Sequence, residues 1–141
     1  MITEVTPYVN FNGNAAEVLV FYVDVLGADV KADMRWRDMP GGDVPPEMAD
    51  RIMFACLDIG GQYLNLSDVP PQMTVENGTA SNIMIEVSSP DALDAVFARL
   101  ADGGTPTMPP DDMFWGARFA KVTDRFGLHW MLHHDYPATG G

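Results

Sequence analysis

Cysteine is nearly absent from this sequence. Cys56 stands alone among 141 residues, which excludes an internal disulfide. It lies inside an apolar run, where a small buried hydrophobe is expected rather than a reactive thiol. Basic residues are also scarce: 8 Lys and Arg face 20 Asp and Glu, for a formal charge of −12. That excess repels phosphate backbones and anionic lipid heads, so neither nucleic acid nor a membrane surface is an expected partner. No apolar run approaches the roughly 20 residues needed to cross a bilayer. Met1-Ile2-Thr3-Glu4 lacks the basic start and apolar stretch of a secretory signal. A cytoplasmic location is therefore expected.

What is present suits a globular fold. Apolar residues make up 47% and charged ones 20%, values of a chain that buries a core. At this length a single domain is expected over 1–141.

Thr6 to Phe11 alternates, with Val9 and Phe11 on one face and Thr6, Tyr8 and Asn10 on the other, which predicts a strand. Asn14 followed by Glu17 predicts a capping box and a helix start. Val18, Phe21, Tyr22 and Val25 then recur at helical spacing, and Gly27 stands where a left-handed stop is needed. Strands are expected over Asp29 to Arg37, Arg51 to Ile59 and Gln62 to Ser67. Met39 to Asp50, with its prolines and Gly41-Gly42, reads as a long loop. After a crossover with Pro70-Pro71 and Asn77-Gly78, Ser81 to Val87 reads as a strand. Ser89-Pro90-Asp91 caps a second helix, whose stripe of Leu93, Val96, Phe97 and Leu100 ends at Gly103-Gly104. Phe114 to Asp135 holds two alternating runs joined by Thr123-Asp124-Arg125-Phe126-Gly127, the pattern of an antiparallel hairpin.

The two halves repeat. A shift of 76 lays Val9 on Ile85, Phe11 on Val87, Phe21 on Phe97 and Gly27 on Gly103. A shift of 66 lays Asp58 on Asp124, Gly61 on Gly127, Leu64 on Trp130 and Leu66 on Leu132. Each half is thus strand, helix, strand, strand, strand: one module over about 1–70, a crossover over about 68–80 and a second module over about 81–135. Neither half alone can bury both its helix face and its sheet. The expected class is α+β, two βαβββ modules forming a curved mixed sheet with an inner cleft.

This duplicated unit, with F-N-G-N-A near the start, F-Y at Phe21-Tyr22, F-W-G at Phe114 to Gly116 and T-D-R-F-G-L-H-W at Thr123 to Trp130, resembles the vicinal oxygen chelate superfamily. That is the glyoxalase, bleomycin resistance and dioxygenase group, and the resemblance is closer to its PhnB-like branch. Members of the branch have often carried the label 3-demethylubiquinone 3-methyltransferase. Methyl transfer is not expected here, because the chain has no glycine-rich first turn with an acidic ribose partner.

The resemblance implies that metalloenzymes of the superfamily take His and Glu ligands from the first and last strands of each module. The corresponding positions here are Thr6, Asn65, Asn82 and Met131, none of them a carboxylate or an imidazole. Neutral hydroxyl, amide and thioether groups hold zinc or nickel poorly, so no metal and no cofactor is expected. His129, His133 and His134 crowd the last strand. His129 and His133 share a face with Met131, so an unusual metal site there is the competing reading, against partly solvated histidines at a strand end.

The cleft expected from the repeat is lined by Tyr8, Asn10, Tyr63, Asn65, Ser67, Asn82, Met84, Glu86, His129 and Met131, a mixture suited to an organic ligand. Trp115 adds an aromatic wall or packs at a dimer seam. Arg118 adds a guanidinium for an anionic group or pairs with Glu86 or Asp124. Glu86 and His129 are the candidate catalytic groups, Glu86 as a general base. Trp130 and Phe126 are assigned to the core, and Asp124 to the turn. The expected function is binding a small organic molecule, in the manner of bleomycin- or mitomycin-binding resistance proteins. The alternative is an isomerase, lyase or dioxygenase with an unusual metal or Glu86 as base, and the sequence leaves open whether the chain is an enzyme. The resemblance further implies a homodimer.

Overall fold

The computed structural model describes residues 1–41 and 43–138; Gly42, part of the loop expected over Met39 to Asp50, lies outside the described residues. The chain divides into two compact units, Met1–Glu76 and Asn77–Gly141. Each holds one twelve-residue helix and one four-stranded mixed sheet, so the duplication read from the sequence is present as two βαβββ modules.

In the first module, β1 (Tyr8–Phe11), α1 (Ala15–Leu26), β2 (Asp29–Arg35), β3 (Ile52–Ile59) and β4 (Gln62–Asp68) give the sheet order β1-β4-β3-β2, with β1 parallel to β4 and the other pairs antiparallel. Alternation along the strands separates two faces. Phe11, Ala55, Leu57, Leu64 and Leu66 are buried on the face that packs under Val18, Leu19, Tyr22 and Val25 of α1. Gly27 takes φ 65° at the helix end, as its position predicts. Gly60 and Gly61, at φ 62° and 87°, turn β3 into β4, and Asp58 accepts from the Gly61 amide at 2.8 Å.

The start of α1 departs from expectation. The Asn14 side chain makes no cap. The buried Asp68, at the far end of β4, instead accepts from the amides of Gly13, Ala15 and Ile52 at 2.9 to 3.0 Å. A carboxylate brought in by the ladder satisfies the helix start and favours its positive end, which a capping-box pattern cannot foresee. The loop after β2 also holds a 3₁₀ turn at Trp36–Asp38 and a short α2 (Pro46–Ala49).

In the second module, β5 (Ile83–Glu86), α3 (Pro90–Ala101), β6 (Thr105–Met113), β7 (Ala117–Thr123) and β8 (His129–Asp135) give the order β5-β8-β7-β6. Ser89 caps α3 as predicted, its hydroxyl accepting from the Ala92 amide at 3.0 Å. The repeat calls for a strand between α3 and the hairpin, and β6 fills that place without an alternating run of its own, since it carries Pro106, Pro109 and Pro110. They are tolerated because β6 is an edge strand with register shifts beside the prolines. Phe114 to Gly116 form the turn between β6 and β7 rather than the head of a strand. Trp130 is fully buried under α3, as assigned; Phe126 lies in the turn, half-buried, outside the core proper.

Candidate functional site

The faces turned away from the helices carry the polar and aromatic residues singled out from the sequence. In the first module, β1–β4 pairing sets Tyr8 beside Asn65 and Asn10 beside Ser67, and the Ser67 hydroxyl donates to Asn10 Oδ1 at 3.0 Å. Tyr63 lies on the same face with Lys31 Nζ 5.9 Å from its ring centroid, and Phe54 meets Tyr8 at 6.2 Å between centroids. Asn65 Oδ1 is buried with no hydrogen-bond partner. Such an acceptor is costly unless something donates to it.

Cys56 corrects its assignment to the core. Register places it opposite Asn65 and Ala32, on the face of Tyr8, while its neighbours Ala55 and Leu57 point under α1. An apolar run does not reveal which of its members lies on which side of the sheet. Partial burial, helped by the carboxylates of Glu4 and Asp58, pushes the Cys56 thiol up despite Lys31. Cys56 is therefore expected to react with Ellman's reagent at pH 8 several-fold more slowly in the folded protein than in urea. An equal or faster folded-state rate contradicts this.

In the second module, Met84 pairs with Met131 and Glu86 with His133 along β5 and β8, and Phe119 of β7 lies across from His133. His133 is 14% exposed. Its Nδ1 lies 2.6 Å from Glu86 Oε1, and its Nε2 accepts from Trp115 Nε1 at 3.4 Å and lies 3.9 Å from Asp135 Oδ1. The ring accepts from the indole through Nε2, while Nδ1 is buried and, although close to the carboxylate, makes no well-aligned hydrogen bond with it. Trp115 meets Phe119 at 6.0 Å and Phe114 at 5.2 Å between centroids, both edge to face.

His129 shares this face but both its nitrogens are engaged. Nδ1 lies 2.8 Å from Thr123 Oγ1 and Nε2 2.9 Å from the Gly78 carbonyl. A ring that donates to a carbonyl and accepts from a hydroxyl is a satisfied structural histidine, not a free base or ligand. His134 points to the other side, its Nδ1 2.7 Å from the Val87 carbonyl.

Arg118 is not on this face. Its Nε and Nη2 donate to Asp94 of α3 at 2.8 and 3.1 Å, and its Nη1 to Asp112 at 3.2 Å, a two-pronged pairing on the helix side. Neither Glu86 nor Asp124 is the partner. The carboxylates, Asp94 first, push the guanidinium further up, and Asp112 is lowered by the Tyr136 hydroxyl and by Arg118.

The four positions that the resemblance assigns to metal ligands, Thr6, Asn65, Asn82 and Met131, do not fit a divalent cation. Thr6 and Asn82 lie outside the strands, and the Thr6 hydroxyl donates to Glu4 at 2.7 Å. With Asn65 and Met131 they offer neutral donors alone.

Phe119 and Asp135 went unremarked in the sequence. Alternation from His129 through Met131 and His133 reaches Asp135, and counting back across the Asp124–Gly127 turn reaches Phe119; both signals were legible.

A family model described as the Glyoxalase/Bleomycin resistance protein/Dioxygenase superfamily matches residues 6–132. Protein YjdN of Escherichia coli K12 is 28% identical over 91% of this chain and 92% of its own length. The crystal structure of protein PA1353 from Pseudomonas aeruginosa is similar with a TM-score of 0.84 at 34% identity, covering 95% of this chain and 98% of that one. A PhnB protein from Bacillus cereus, described as a putative 3-demethylubiquinone-9 3-methyltransferase, shares the fold with a TM-score of 0.74 at 20% identity, over 94% and 99% of the two chains.

Proposed function

This chain belongs to the Glyoxalase/Bleomycin resistance protein/Dioxygenase superfamily, and from that premise we propose that it binds a small organic molecule against a helix-free face of one of its sheets, without a metal at Thr6, Asn65, Asn82 and Met131. The observation that carries this reading is the composition of those faces. Tyr8, Tyr63, Met84 and Trp115 stay exposed there among Asn10, Asn65, Glu86 and His133. Large apolar side chains interleaved with a few fixed polar groups are the lining of a site that recognises an organic ligand by shape and a few hydrogen bonds. The unpaired Asn65 Oδ1 adds an acceptor that a ligand N–H or O–H can satisfy.

The protein works in the cytoplasm as a homodimer, on this reading, and sequesters its ligand as resistance proteins of the superfamily do. Methyl transfer is not part of it, since among the described residues neither module has the glycine-rich turn and parallel β-α-β unit on which a nucleotide-type donor sits. Among the described residues no helix is long and apolar enough to cross a membrane.

A thermal-shift panel of aromatic and cationic compounds tests binding. A ligand at about a hundred times its Kd adds about 2.7 kcal/mol of stability, a readily measured shift. Tyr8→Ala for a ligand on the first module's face, or Trp115→Ala for one on the second's, should abolish the shift while leaving the unliganded midpoint nearly unchanged. No stabilisation by any compound would sink the reading. Light scattering on the purified chain reads the dimer.

One observation favours a second reading, an isomerase or lyase. Glu86 Oε1 lies 2.6 Å from His133 Nδ1, close enough to orient the imidazole, and Nε2 can take a proton once a ligand displaces the Trp115 N–H from it. The base would then be His133, with Glu86 positioning it rather than acting itself. Recovery of bound compound chemically unchanged after incubation, with and without chelator, counts against this second reading.

A further inference from the structure

We propose that the helix-free face of the second module takes an organic cation, a quaternary or substituted ammonium group, seated against Trp115 and Phe119 and facing Glu86. This rests on reading that face as the ligand surface and adds the ligand's charge.

Three independent features converge. The first is aromatic geometry. Trp115, half exposed, and Phe119 meet with their planes at 65°, so the two rings form a corner that presents π surface in two directions. Phe114, 98% exposed, stands edge to face beyond Trp115 at the turn. Rings in this arrangement attract a diffuse positive charge through their negative faces. The Trp115 N–H is occupied with His133, which ties the indole by its edge and leaves its faces for a ligand.

The second is the sign of the neighbouring charges. Glu86 lies on His133 Nδ1, Asp135 lies 3.9 Å from Nε2, and Asp111 pairs with Phe119 across the sheet. Lys121 is one step further along β7, opposite Met131. The third is where Arg118 goes. A guanidinium beside Trp115 would favour an anion, but Arg118 lies on the opposite, helix-covered face, paired with Asp94 of α3, so it does not counter these carboxylates. The chain's charge of −12 adds long-range attraction for a cation.

The test uses choline and its neutral isostere 3,3-dimethylbutan-1-ol, titrated into the full chain at fixed ionic strength and read by calorimetry and by indole NMR shifts. Choline should bind saturably and at least tenfold more tightly than the alcohol. Trp115→Ala should weaken choline about tenfold or more, and Glu86→Gln about threefold to tenfold, with less effect on the alcohol. Both substitutions are at exposed positions, and unchanged circular dichroism verifies folding. Equal binding of the two compounds, or indifference to Trp115→Ala, overturns the proposal. If choline fails while a neutral or anionic aromatic compound binds this face, the cation assignment falls and the ligand surface stands. If nothing binds, both fall.

Discussion

Asp124→Ala should cost the protein about 4 kcal/mol of stability, measured as a drop in the urea midpoint. Asp124 is 3% exposed. Its Oδ1 accepts from the amides of Phe126 at 2.9 Å and Leu128 at 3.1 Å, and its Oδ2 from Trp130 Nε1 at 2.8 Å. Alanine leaves the turn and the buried indole with donors that water cannot reach, and each such orphan costs about 1 to 3 kcal/mol. Asp124→Asn keeps one acceptor but sets an NH₂ against the other donor, so it should cost roughly half as much. The sequence repeat supplies a control. Asp58 occupies the matching place in the first module but accepts from Gly61, and Leu64 stands where Trp130 does. Asp58→Ala should therefore cost about 1 kcal/mol. Equal losses at the two aspartates would show that the indole hydrogen bond is not what distinguishes them.

Gly104→Ala should be worse than its neighbour Gly103→Ala, although Gly103 has the left-handed backbone. A Cβ built on Gly104 would stand 2.3 Å from the Thr123 carbonyl oxygen and 2.9 Å from backbone atoms of Asp124. No rotamer relieves a clash with main chain, so the end of α3 must move away from the β7–β8 turn, at about 3 kcal/mol or more. Gly103, at φ 76°, would place its Cβ 3.2 Å from the flexible Arg125 side chain and mainly suffer the left-handed penalty of about 1 to 2 kcal/mol. Thermal midpoints of the two variants decide. A Gly103 variant less stable than the Gly104 variant would mean that φ, not space, governs this corner.

These two corners also mark how far local pattern reaches. The helices, their glycine stops, the Ser89 cap and the hairpin over Asp124–Gly127 follow from spacing, because turn chemistry and periodicity are properties of neighbours in sequence. The repeat calls for strand β6 but local pattern does not mark its span, because prolines oppose a strand locally, and what permits them is an edge position set by the rest of the sheet.

The candidate site was legible in part. Alternation placed Tyr8, Asn65, Met84, Glu86 and Met131 away from the helices, and the neutral donors at Thr6, Asn65, Asn82 and Met131 are read directly from residue type. It could not place Arg118, whose direction depends on an aspartate 24 positions earlier on α3, or pair Glu86 with His133 across a parallel ladder.

The sequence by itself determined a duplicated βαβββ chain, its helix ends and its tight turns, since each is written in residues close together along the backbone. Tertiary structure alone decided that Asp68 caps α1, that Cys56 faces away from the core, that His129 is tied down and His133 is held by a carboxylate, and that Arg118 leaves the acidic face. Each of those outcomes depends on strand register or on a helix packing over a sheet, which bring together groups whose separation in sequence carries no local signal.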